Sequence, residues 1–260
     1  MSMDVLLARV VLRDRSLLDV VDLSVRFLMR HLGVYARVAA IVLVPMFAAT
    51  WLIAAYAGWL WGWPCALLLS MFASSPFTIL ASRLVFEPEV PASSVLKTAL
   101  FTLPRLLSCR LLQIFAVSFG FLLFVIPGIW AQVLFLFSSE VVVLEQASMS
   151  TALGRLQRLL GGNSGDVLMA MLLLLALNLG AVCLGDVVFR AVLEELLQIG
   201  APPSLFETGG CVLGLLGFWL AVPLVATVRL FVYLNLRTRR EGWDIQTRFA
   251  AMVARGEVGA

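Results

Sequence analysis

Apolar positions run along this chain in blocks too long and too unbroken for the interior of a soluble domain. Between Arg110 and Glu140 there is no Asp, Glu, Lys or Arg. A stretch of that kind satisfies its own backbone in lipid only as helix. Six such blocks predict membrane-spanning helices at 38–57, 64–82, 111–126, 129–144, 167–185 and 209–233. The third and fourth are expected to fold back on each other at Pro127-Gly128. At about 1.5 Å per residue each would reach only about 24 Å, a short hairpin for a hydrocarbon layer of about 30 Å.

Between the blocks the pattern changes to one polar and one apolar helical face. Ser16 reads as an N-cap with Asp19 completing a capping box. From there to Leu32 the polar positions Asp19, Asp22, Arg26 and Arg30 oppose Leu17, Val20, Val21, Val25 and Leu28. A second amphipathic helix starts at Ser93 or Ser94 and carries Lys97, Arg105 and Arg110, with Pro104 expected to break or bend it. A third runs from Ser148 to Leu160 with Arg155 and Arg158, and Val187 to Ile199 is again amphipathic. Three times, from Ser16, Ser94 and Ser148, a serine precedes a basic amphipathic helix and then a span. The fold class expected is all-α, a polytopic helical bundle forming one membrane domain over 1–260. Its parts are a lead-in and amphipathic helix at 1–37, a bundle at 38–233 and a tail at 234–260.

Composition agrees with this pattern. The chain is 62% hydrophobic and 13% charged, with mean hydropathy +1.01, against roughly 45–50% apolar for soluble domains. A cleavable signal peptide is not expected, because charges alternate through the first 32 residues. Cys65, Cys109, Cys183 and Cys211 form no CxxC pair and His31 is the sole histidine, so no metal or redox site is expected. The turn GGNSGD at 161–166 lacks GK[ST] and is no phosphate loop. Neither a Ser-His-Asp set nor a catalytic carboxylate pair is discernible, so no cofactor and no enzymatic activity are expected. The distribution of charge says more than its total. With six spans, eighteen of the 19 Lys and Arg residues fall on one side and Arg190 alone on the other. By the positive-inside rule both termini are cytoplasmic.

Candidate sites follow from charge and small residues. Folding the hairpin about Pro127-Gly128 places Arg110 opposite Glu145, a structural ion pair at the cytoplasmic mouth. Glu140 lies deeper, beside Ser138 and Ser139, and Arg229 in the sixth span is its expected partner. Ionisable residues inside a membrane are costly unless paired, and are functional candidates. Asn178 is expected to hydrogen-bond between helices. Gly210, Gly214, Gly217 and Ala221 make a small-residue stripe suited to close packing inside the bundle or to a homo-oligomer face. Tyr56, Trp59, Trp61 and Trp63 suit a membrane–water interface.

Three stretches carry a resemblance: SLLDVVDLSVRFLMRHLG at 16–33, VIPGIWAQVLFLFSSEVVVLEQASMSTALGRLQRLLGG at 125–162 and FVYLNLRTRREGWDI at 231–245. The most specific part is the tail pattern of Tyr233, Asn235, Arg237, Arg239, Glu241, Gly242 and Asp244. Together they resemble uncharacterised bacterial six-span proteins labelled as the membrane domain of glycerophosphoryl diester phosphodiesterases. The soluble phosphodiesterase domain attached in those proteins has no counterpart in this sequence. The resemblance therefore implies a membrane scaffold in the bacterial inner membrane and supplies no catalytic residue. Expected partners are membrane lipids and membrane or cytoplasmic proteins, not nucleic acid. Two functions fit. One is a non-catalytic scaffold or accessory subunit presenting a basic cytoplasmic face. The other is a transporter or lipid-handling protein with a polar path near Glu140 and Arg229.

Overall fold

The computed structural model describes residues 16–87, 89–145, 149–161 and 164–241, leaving aside the side chains of 145, 149, 150 and 239–241. The structure is 88% helical, without strands among the described residues. Helix α1 (Leu17–Arg30) opens on the expected capping box, Asp19 N–H donating to Ser16 Oγ at 3.2 Å and Ser16 N–H to Asp19 Oδ2 at 3.3 Å. It buries Val20, Ser24 and Phe27 and exposes the Asp22–Arg26 pair. Phe27 meets Phe231 edge to face, centroids 5.1 Å apart, so this buried face lies on the last long helix.

Helices α2 (Leu32–Ala57) and α3 (Trp59–Leu84) are joined by a single residue, Gly58. Its φ of 87° is accessible to glycine at little cost, which permits so abrupt a reversal. Helix α4 (Ala92–Leu123) is followed directly by α5 (Val125–Leu134) and, after a three-residue interruption, α6 (Ser138–Glu145). Then come α7 (Met149–Leu160), α8 (Ser164–Ala191) closing in a π-helical turn at Val192–Leu196, the short α9 (Leu205–Thr208) and α10 (Val212–Glu241). Among the described residues, six helices are long and apolar enough to cross a membrane: Leu32–Ala57, Trp59–Leu84, Ala92–Leu123, Val125–Leu144, Ser164–Leu196 and Val212–Thr238.

Two expectations about the hairpin are corrected. The second amphipathic helix and the third span are one helix, α4, which continues through Pro104. A proline deprives the carbonyl four residues earlier of its partner. Here that carbonyl belongs to Leu100, a residue 68% exposed in the third turn of the helix. The reversal falls at Phe124 rather than at Pro127-Gly128. Pro127 instead occupies the first turn of α5, where its missing N–H would have no intrahelical acceptor anyway. Gly128 packs backbone to backbone against Gly120 of α4, and a Cβ on Gly120 would lie 2.8 Å from Gly128 Cα.

Helix α10 is the centre of the bundle, packed on α8, α3, α1 and α2. Trp219, 1% exposed, donates from Nε1 to Thr50 Oγ1 on α2 at 3.1 Å. The Tyr35 hydroxyl and Thr227 Oγ1 are 2.9 Å apart, a second tie between the same helices. These two buried polar pairs are satisfied across helices, as an apolar surrounding favours.

Candidate functional site

The polar centre of the bundle is assembled where α3, α4, α6 and α10 converge on the α5–α6 interruption. At Phe135, Leu136 and Phe137 the backbone leaves the α-helix, with Leu136 N–H bonding Val133 O and Ser138 N–H bonding Phe135 O. All three side chains are buried. The interruption turns Ser138, Ser139 and Glu140 into the first turn of α6, and all three are fully enclosed at 0% exposure.

Glu140 is held from two sides. Arg229 Nε donates to its Oε1 at 2.6 Å, and Ser139 Oγ donates to its Oε2 at 2.9 Å. Arg229 also reaches Ser74 Oγ of α3 at 3.3 Å, tying three helices through one guanidinium. The expected Glu140–Arg229 pair is therefore present, and it is shielded from solvent on the carboxylate side.

Arg110 sits beside this pair, 2% exposed and within electrostatic reach of both Glu140 and Arg229. Its Nη1 donates to Gln113 Oε1 at 2.5 Å and to Ser138 Oγ at 3.3 Å, and its Nη2 to the Met71 carbonyl at 3.5 Å. Gln113 Nε2 continues the chain to Gln132 Oε1 of α5 at 3.3 Å. The expected Arg110–Glu145 pairing rested on a turn at Pro127-Gly128. With the turn at Phe124, Arg110 faces Ser138, and Glu145 stands seven residues further along α6, about 10 Å of helix rise. The Glu145 side chain lies outside the described residues.

Sequence reasoning missed Gln113 and Gln132, and read Ser74 only as a small residue for close helix approach rather than as a partner of Arg229. The two glutamines were legible as rare amides inside an apolar stretch, but a register error of two turns hid that they meet. Asn178, expected to bond between helices, donates instead to Leu174 O within α8 at 2.8 Å.

The glycine stripe packs within the bundle. Gly217 lies against Ala181 and Gly185 of α8, Gly214 against Val182, and Gly210 beneath the Trp59 ring. Ala221 continues it at a half-buried position. In the tail pattern, Tyr233 and Asn235 are buried at 1% and 8% exposure inside α10, and Arg237 is half-buried. Tyr233 and Asn235 thus lie in the interior of the bundle. The side chains of Arg239 and Glu241, and Gly242 and Asp244 entirely, lie outside the described residues.

With six helices among the described residues long and apolar enough to cross a membrane, the chain is a polytopic α-helical integral membrane protein. Compared with known families, curated proteins and solved structures, the chain matches none.

Proposed function

We infer that the protein is a non-catalytic scaffold or accessory subunit of the bacterial inner membrane, with both termini cytoplasmic. Its basic cytoplasmic face would serve protein partners and anionic lipids. The observation that carries this reading is the closure of the Glu140–Arg229 pair: the carboxylate is 0% exposed and both its oxygens are occupied. A pair so enclosed locks α3, α6 and α10 together and offers a solute no path. The basic asymmetry of the sequence supports the orientation, and each Lys or Arg near the surface adds about 1 kcal/mol of attraction to anionic headgroups. The resemblance to phosphodiesterase membrane domains agrees with a scaffold. Pull-down of the full-length protein in mild detergent tests the reading. Arg155→Ala with Arg158→Ala, two exposed positions on α7, should release bound partners, and unchanged partner recovery would count against it.

A transporter is the second reading, favoured by one feature. The fourth span is interrupted at 135–137 next to buried charge, an arrangement that transporters use to build midplane sites. Glu140→Gln would then abolish uptake of a solute into proteoliposomes while leaving partner binding intact.

A further inference from the structure

The charges at the centre of the bundle do not balance. Two guanidiniums, Arg110 and Arg229, share one described carboxylate, Glu140. That carboxylate is already committed, Oε1 to Arg229 and Oε2 to Ser139, so it has little left to offer Arg110. Every described partner of Arg110 is neutral: an amide oxygen, a hydroxyl and a backbone carbonyl. Its Nε is fully enclosed and has no hydrogen-bond partner among the described residues. Measured along α4, Arg110 stands fourteen residues from the Phe124 reversal, about 21 Å of helix rise. A buried cation without a counter-charge, and a charged donor left unmade, are both strongly unfavourable.

We propose that Arg110 is the seat of an internal anion site that takes a small monovalent anion of halide size. The anion supplies the missing negative charge and accepts from Arg110 Nε. A guanidinium only 2% exposed leaves no entrance for a lipid headgroup or a phosphorylated solute, and even a small anion reaches the enclosed Nε only if the surround moves. The α5–α6 interruption is the part of the surround that can yield to admit the ion, since its backbone is not held by a continuous helical ladder. The half-buried Gln132, linked through Gln113 to Arg110, marks the polar way in. The site is independent of whether the bundle also moves a solute or presents a surface.

Thermal unfolding of the full-length protein in mild detergent tests this. The base buffer is sodium gluconate, an anion too large for the enclosure, exchanged stepwise for chloride or bromide at constant ionic strength. The wild type, and Lys97→Gln at an exposed position of α4, should gain a saturable rise in Tm. At a hundredfold excess over Kd the rise should be about 5–10 °C. Arg110→Gln should lose this rise. Gln113→Glu is the decisive variant, because it places a carboxylate where Arg110 Nη1 already donates. It should be at least as stable in gluconate as the wild type in chloride, and indifferent to halide. A Gln113→Glu protein less stable than the wild type in gluconate, or one with an undiminished halide response, overturns the site. So does a wild type with no saturable response.

Discussion

Glu140 and Arg229 show what one ion pair does in an apolar bundle. Their charged groups meet at 2.6 Å, with Ser139 and Ser74 completing the shell. Removing one partner leaves the other charge buried, which costs about 3–5 kcal/mol in comparable sites. Glu140→Leu and Arg229→Met should therefore each lower thermal stability strongly, while the double variant loses much less than the sum. A double-mutant cycle on purified protein checks this, and additive losses would show that the two side chains are energetically independent. Arg83 illustrates a milder case. It joins the end of α3 to the start of α4 through Ser94 Oγ at 3.1 Å and Thr98 Oγ1 at 2.7 Å. Both partners are neutral hydroxyls and Arg83 is half-buried, so Arg83→Met strands no charge and should cost about 1.5–3 kcal/mol in all, read as a fall in Tm smaller than that of Arg229→Met.

Between elements, α8 and α10 approach closely. Gly217 and Gly185 touch backbone to backbone, and a Cβ on Gly185 would stand 2.6 Å from Gly217 Cα. Gly214 has slightly more room, with Val182 Cγ1 at 3.3 Å from a Cβ placed there. Gly217→Ala should thus force the two helices apart at about 1–3 kcal/mol, and Gly214→Ala should cost less. Comparing their Tm values decides it; equal losses would mean the two helices do not approach most closely at Gly217. The glycine stripe was legible because small residues at helical spacing have few uses in a span. Its partner helix was not, since every apolar block reads alike as lipid-soluble sequence. The hairpin register failed for a related reason. Pro127-Gly128 carries the usual turn composition, yet a proline is also at home in a helix's first turn and a glycine where helices touch. Both uses are realised here, and the reversal falls instead at Phe124.

For the whole molecule, the count of six spans came from hydropathy, and the side assignment from Lys and Arg positions alone. Apolar length is a strong signal because lipid gives the backbone no partner but itself. Charge asymmetry is read from the sequence without any structure. What neither signal contains is how the helices nest, so α10's central place and the chain from Gln132 to Arg110 emerged only in three dimensions. The orientation has a direct test. With the four native cysteines replaced, single cysteines at Trp61 and Phe124, and at Pro203 in the loop before α9, all mark one side of the six-span arrangement. Trp61 is 64% and Phe124 77% exposed, so a reagent can reach them. A membrane-impermeant maleimide added to intact cells should label these three positions. Cysteines at Glu89 and Arg158, on the basic side, should react only after the membrane is opened. Labelling of Glu89 in intact cells, or protection of any one of the three, would break the alternation on which the cytoplasmic assignment of both termini depends.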